Sequence, residues 1–302
     1  MGSNYQPTAS KYANPQGMQR YAAPSLFQPH RVREAIRDAH AKKIPPLMGY
    51  YSGLSSVPIT RFLAPFGFDV VWIDWEHTSC NVETMTTLVH EAIFMSEGRT
   101  IPFVRVPGHE HAAIGYALDA GASIVVPQVE TVEDARKVVS YAKFGTANNG
   151  TRSAPPFRLV PGLTDTPYDG VRSVWQNVND QAAIMIQIES LEAINNLDAI
   201  LTEVPDVDLV WLGALDARIS MNLPGGFGLP NQEPEWQAAL KNFDDTMKKH
   251  NKPRGGFSFQ QGEALVKDAQ NLSFMILAAD VKELSNVEQQ FLAAKALFEG
   301  SK

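Results

Sequence analysis

The stretch Asp69-Val-Val-Trp-Ile-Asp74-Trp-Glu76-His77 decides the reading of this chain. Val70 to Ile73 is a continuous apolar run of β-branched and aromatic residues. Such a run fits a parallel strand buried on both faces. It stops abruptly at two carboxylates and an imidazole, so the strand delivers polar groups to one end. The pattern recurs. Ile101-Pro-Phe-Val-Arg105 ends in a guanidinium, and Ile184-Met-Ile-Gln187-Ile-Glu189 in an amide and a carboxylate. Leu209-Val-Trp-Leu-Gly-Ala-Leu-Asp216 ends in a glycine turn and a carboxylate. Polar groups gathered from the ends of several strands are what a parallel barrel enzyme shows.

Outward from that strand, helical and extended patterns alternate. Strands are expected at 46–51, 69–74, 101–106, 123–127, 183–188, 208–212, 254–259 and 272–277. Helices are expected at 30–43, 56–65, 81–96, 110–120, 132–142, 168–178, 192–202, 234–250, 261–269 and 281–299. Asn81 and Ser190 read as N-caps. Eight βα units without a composition shift predict an α/β chain folded as one (β/α)8 TIM barrel over 28–302. Residues 1–27, rich in Ser, Asn, Gln and Pro, read as a flexible or surface-wrapping arm. The long connections 143–182 and 213–233 carry many glycines and prolines and read as lids.

Composition narrows the function. A net charge of −7 with no basic stripe argues against a nucleic-acid partner. No apolar run reaches the roughly 20 residues that span a bilayer. One cysteine, Cys80, excludes a disulfide framework and fits a reducing, cytoplasmic setting. With 44% apolar residues the chain can bury a large core.

Glu189 and Asp216 come from the strands numbered five and six, neighbours about 4.8 Å apart in a barrel. Two carboxylates there suit a hard divalent cation with open positions for water or substrate oxygens. The competing reading for each is a solvated loop acid or a helix cap. His77, at a strand end, suits a general base, with Asp74 placed to orient its ring; a simple helix cap is the alternative. Arg105 can bind a carboxylate or steady an enolate oxygen, or pair with Asp74 or Glu76. Trp72 shares a strand face with Asp74 and lies one layer below it, as Gln187 does with Glu189. No lysine ends a strand, so a Schiff-base mechanism lacks its nucleophile. No phosphate-binding glycine motif is present. A Cys80–His77 nucleophile pair is conceivable, although a lone cysteine at a helix start is more often incidental.

Several segments in order resemble the metal-dependent pyruvate aldolases. They are Asp74-Trp-Glu-His77, Val104-Arg105-Val-Pro107, Leu118-Asp-Ala-Gly-Ala122, Val126-Pro-Gln-Val-Glu-Thr131, Gln187-Ile-Glu189 and Gly213-Ala-Leu-Asp216. The family includes 2-dehydro-3-deoxyglucarate and 2,4-dihydroxyhept-2-enedioate aldolases and is related to the citrate lyase β-subunit. Val71-Trp-Ile-Asp74 and Ser96-Glu-Gly-Arg99 are most similar to its fungal macrophomate-synthase branch. The resemblance implies a carbon–carbon lyase working through a metal-bound pyruvate enolate. Glu189 and Asp216 would hold Mg²⁺, or Mn²⁺ or Co²⁺. His77, Asp74 and Arg105 would be catalytic. Trp72, Gln187, Gly213, Ala214, Leu215 and Tyr168 would line the substrate site. The substrate would be pyruvate or oxaloacetate with an unidentified acceptor, a 2-pyrone in the macrophomate-type alternative. A catalytically silent binding barrel is the third reading. The resemblance also implies a homo-oligomer, a hexamer, with the last helix exchanged between barrels; a last helix that closes its own barrel is the alternative. Gly213-Ala-Leu-Asp216-Ala-Arg218 departs from the family's Gly-Pro-x-Asp-Leu-Ser, and Arg218 is expected to bring a new cation near the mouth.

Overall fold

The computed structural model describes residues 17–26, 28–155, 159–165, 167–225 and 231–299. Eight parallel strands pair in chain order and close: β1 (Leu47–Ser52), β2 (Val70–Asp74), β3 (Ile101–Arg105), β4 (Ser123–Val126), β5 (Ile184–Ile188), β6 (Leu209–Leu212), β7 (Arg254–Phe257) and β8 (Phe274–Ala279). The expected (β/α)8 barrel is therefore the fold. Because side chains alternate along a strand, two cores form. Leu47, Val70, Trp72, Ile101, Phe103, Met185, Leu209, Trp211 and Phe274 fill the barrel interior. Val71, Ile73, Val104, Ile124, Ile186 and Val210 face the surrounding helices.

The helices are α1 (Val32–His40), α2 (Val57–Leu63), α3 (Val82–Met95), α4 (His111–Asp119), α5 (Val132–Ala142), α6 (Val174–Gln181), α7 (Leu191–Glu203), α8 (Ala214–Ser220), α9 (Pro234–His250), α10 (Gly262–Asn271) and α11 (Asp280–Glu299). Asn81 and Ser190 cap α3 and α7 as expected: their side chains accept from the Thr84 and Ala193 amides at 2.8 and 3.0 Å. The helix expected at 168–178 begins only at Val174. Ser173 and Gln176 close a capping box there, while Asp169 holds the preceding turn through the Val171 and Arg172 amides. Helix α8 lies where a loop was expected.

The reading of 143–182 as a lid is corrected. This segment links a helix to the start of a strand, so it lies at the N-terminal face of the barrel. Gln28 donates to the Thr164 carbonyl, Gln181 to that of Pro29, and Arg33 to Asp208 just before β6. The other connection, 213–233, does leave a strand's C-terminal end. Residues 156–158, 166 and 226–230 of these connections, and 1–16 and 27 of the arm, fall outside the described residues. Within the arm, Gly17–Tyr21 forms a 3-10 turn with Met18 and Tyr21 buried. Among the described residues no helix is long and apolar enough to cross a membrane.

Candidate active site

Register brings the first cluster together. Tyr51 of β1 pairs with Trp72 of β2, and Asp74 pairs with Arg105 of β3. Tyr51 and Trp72 thus share a layer directly beneath the Asp74–Arg105 pair. Arg105 donates to Asp74 through Nε at 3.0 Å and Nη2 at 2.8 Å, a two-pronged, charge-assisted contact. The Tyr51 hydroxyl donates to Asp74 and accepts from Arg105 Nη2 at 3.0 Å. Burial alone would raise the Asp74 carboxyl, but the Arg105 guanidinium and then Tyr51 hold it below its ordinary range. The Arg105 guanidinium lies 5.8 Å above the Trp72 ring, which makes Trp72 the floor. Trp72 packs in turn on Trp211, ring centroids 4.7 Å apart.

Asp74 does not orient the His77 ring. Its carboxylate is committed to Arg105 and Tyr51, and it meets His77 only at the backbone N–H, 3.3 Å away. The carboxylate beside the ring is that of Glu76, whose Oε2 lies 3.4 Å from His77 Nε2 and 3.3 Å from Arg105 Nε. Burial raises the Glu76 carboxyl, opposed by Arg105 and His77. His77 itself is 68% exposed at the mouth.

The second cluster lies just past the C-terminal ends of β5 and β6. Glu189 is buried; Oε1 accepts from Gln187 Nε2 at 2.8 Å and Oε2 from the Gln128 amide at 2.9 Å. Burial pushes its carboxyl up to about 7, the Gln128 amide opposes this, and Asp216 raises it further. Asp216 sits not on the strand but in the first turn of α8, its side chain exposed, with Ala214 and Leu215 also exposed beside it. Gly213 makes the turn possible: a Cβ there would lie 2.4 Å from Glu189 Oε1.

The chain matches the HpcH/HpaI aldolase/citrate lyase family over residues 47–251. It belongs to that family. The matched span holds Tyr51 through Asp216, so the clusters above are family territory. Among the family's curated enzymes, a 4-hydroxy-2-oxo-heptane-1,7-dioate aldolase of Salmonella heidelberg is 30% identical over 253 residues, 83% of this chain and 89% of that one. A solved macrophomate synthase is similar at a TM-score of 0.85 and 30% identity, covering 99% of this chain and 100% of that one. An aldolase/citrate lyase family protein from Burkholderia cenocepacia gives a TM-score of 0.71 at 25% identity, covering 87% and 98%. Membership of this aldolase and lyase family makes the chain an enzyme of lyase type.

Two expected residues take other places in this family member. Tyr168 lies at the N-terminal face, its hydroxyl 3.1 Å from Arg172 Nη2 and its ring 5.5 Å from the Arg31 guanidinium. Its place follows from the descent of 143–182, so it does not line this chain's mouth. Arg218 is buried and brings no free cation there: it pairs doubly with Glu233 at 2.9 and 2.8 Å and donates to the Pro224 carbonyl. Tyr51 and Gln128 join the site without having been singled out from sequence, whereas the Arg105 pairing with Asp74 and Glu76 was among the expected alternatives. The Tyr51–Trp72–Asp74 alternation across two strands was the available signal for Tyr51. Nothing local marks Gln128. Burial pushes the Cys80 thiol up to about 11, which removes it as a nucleophile near neutrality.

Proposed function

We propose that the enzyme is a divalent-metal-dependent carbon–carbon lyase of the pyruvate aldolase type, forming a pyruvate enolate from a 2-oxo acid or by decarboxylation of oxaloacetate. The observation that carries this is Glu189. A carboxylate buried beside a second carboxylate, its pKa already lifted, fits a cation between them. Among the described residues no group of three or more His, Cys, Asp or Glu surrounds a point. Two carboxylates alone suit a hard ion such as Mg²⁺, which keeps most of its positions for water and substrate oxygens. When bound, such an ion supplies Lewis-acid polarisation of a 2-oxo acid.

The side chains supply the rest. Arg105 is a preformed cation, held still by Asp74 and Tyr51, so it stabilises developing negative charge without reorganising. Oxaloacetate loses CO₂, and the electron pair of the broken bond becomes the enolate. A proton or an aldehyde carbon then adds to the enolate carbon. His77, exposed and beside Glu76, carries the proton between this carbon or the aldol hydroxyl and solvent. Trp72 closes the floor against water. We place the enzyme in the cytoplasm, consistent with its single unpaired cysteine.

A second reading, coupling of the enolate to a planar conjugated acceptor, is favoured by one feature. Phe257 stands edge-on to Trp211 at 4.9 Å and stacks with Phe259 at 5.3 Å. These rings continue the wall formed by Tyr51.

The test is oxaloacetate decarboxylation and retro-aldol cleavage of 4-hydroxy-2-oxo acids, with Mg²⁺ or with chelator, in wild type and Asp216→Asn. Metal-dependent turnover in wild type, lost by at least about a hundredfold in the variant, is expected. Undiminished, chelator-resistant activity in Asp216→Asn would overturn the assignment.

A further inference from the structure

Glu189 depends on a turn that nothing in the proposed chemistry uses. The Gln128 amide that binds Glu189 Oε2 belongs to a residue with φ of +52°, a region glutamine rarely adopts. Such strain persists only where neighbours enforce it. Two contacts do so. The Val129 amide donates to the Gln187 carbonyl at 3.1 Å. The Pro127 carbonyl lies 2.6 Å from His109 Nε2. A carbonyl only accepts, so His109 Nε2 carries the proton and donates it.

The Pro127 carbonyl and the Gln128 N–H are the two poles of one planar trans peptide, and they point in opposite directions. The imidazole N–H, that peptide and the Glu189 carboxylate therefore form one hydrogen-bonded line. Bonds in such a chain polarise one another. His109 comes from the β3–α4 turn, so it ties a third strand end to the fifth through the fourth.

We propose that His109 is a positioning residue for Glu189, acting through the Pro127–Gln128 peptide to fix and polarise the amide that holds the carboxylate. Without the donor, the buried Pro127 carbonyl is unpaired and the strained turn is free to relax. The Gln128 amide then turns away from Glu189. In this role His109 acts only through its contact with the Pro127 carbonyl. The inference rests on the reading of Glu189 as a metal-holding carboxylate.

The experiment is a Mn²⁺ titration without substrate, followed by electron paramagnetic resonance, on His109→Ala, His109→Gln and Glu189→Gln, with thermal melts alongside. Losing one such hydrogen bond should weaken Mn²⁺ binding about five- to tenfold in His109→Ala. His109→Gln, whose amide N–H can reach the same carbonyl, should restore most of it. A general structural defect would not be rescued in this way. Glu189→Gln should lose far more than either. If Glu189→Gln loses Mn²⁺ and His109→Ala does not, the positioning role is wrong and the metal reading stands. If His109→Gln falls as far as His109→Ala, the ring's bulk and not its N–H matters, and the proposal fails. If none of the three weakens binding, the metal reading falls and takes this one with it. Should His109→Ala not fold, His109→Leu against His109→Gln gives the same comparison.

Discussion

Glu189 carries the clearest pH signature at the scale of single residues. An unfolded glutamate titrates near about 4.3, whereas burial first, and Asp216 after it, place the folded carboxyl at about 7. Between those values the unfolded chain releases the proton while the folded chain keeps it. Stability of the metal-free protein therefore falls as pH rises from about 4.3 towards 7, and stays lower above. Glu189→Gln removes that burden. We expect the variant to be more stable than wild type by about 3–4 kcal/mol at pH 8 and nearly equal at pH 4.5, a figure set by roughly 1.4 kcal/mol per pKa unit. Urea unfolding of metal-free protein at the two pH values measures this. The same gain at both would show that Glu189 is not held protonated. Asp74 behaves oppositely, because Arg105 and Tyr51 outweigh its burial. Two carboxylates at the same barrel mouth are thus pushed apart, one kept charged beside a cation and one short of a counter-ion.

The junction between β6 and α8 shows how an element boundary makes chemistry. The Gly213 amide donates to the Ile188 carbonyl at 3.0 Å, which draws the end of β6 against β5 beside Glu189. Helix α8 then lifts Asp216 over the mouth within one turn. A methyl at position 213 would also meet Glu189 Cγ at 2.6 Å. Gly213→Ala should fold, since its backbone φ of −80° is open to alanine, yet displace Glu189. We expect divalent-ion affinity to drop about 10–100-fold, as for other changes that disturb ligand support. Calorimetric titration with Mn²⁺ checks it; affinity within about twofold of wild type would mean that Glu189 moves aside without consequence. Farther along, Arg218 folded between Glu233, Pro224 and the Trp236 ring anchors the return of the 213–233 connection.

At the scale of the whole molecule, helix α11 is the unfinished part. Its Val281, Leu284, Val287, Phe291, Leu292, Leu297 and Phe298 are all exposed, Phe298 at 79%. Its base packs on β1 and β8. The barrel sector beside those strands is bare in turn: α10 buries no residue, and Phe62 and Phe66 stand 68% and 60% exposed. Helix α11 thus presents large apolar side chains that this single chain leaves exposed. We propose that a second copy's α11 covers this sector while its own is covered in exchange, and that such pairs build a larger homo-oligomer, a hexamer. Each large side chain so buried contributes about 1.5–3 kcal/mol, enough in sum to outweigh the cost of association. Sedimentation should find the full chain at a multiple of 33.2 kDa and a truncation at about residue 280 dissociated or insoluble. A monomeric full chain at micromolar concentration would sink the assembly. The sequence by itself determined the barrel, because unbroken apolar runs of strand length recur between amphipathic helices. It also determined Asp74, Arg105 and Glu189 as mouth residues, because period two fixes which side of a strand each faces. Tertiary structure alone decided the partners. Asp74 chose Arg105 over His77 because register set them opposite each other. Tyr168 and Arg218 left the mouth because loop direction claimed the first and the ion pair with Glu233 the second. Gln128 and His109 entered the site through one backbone peptide, whose direction no side-chain pattern encodes.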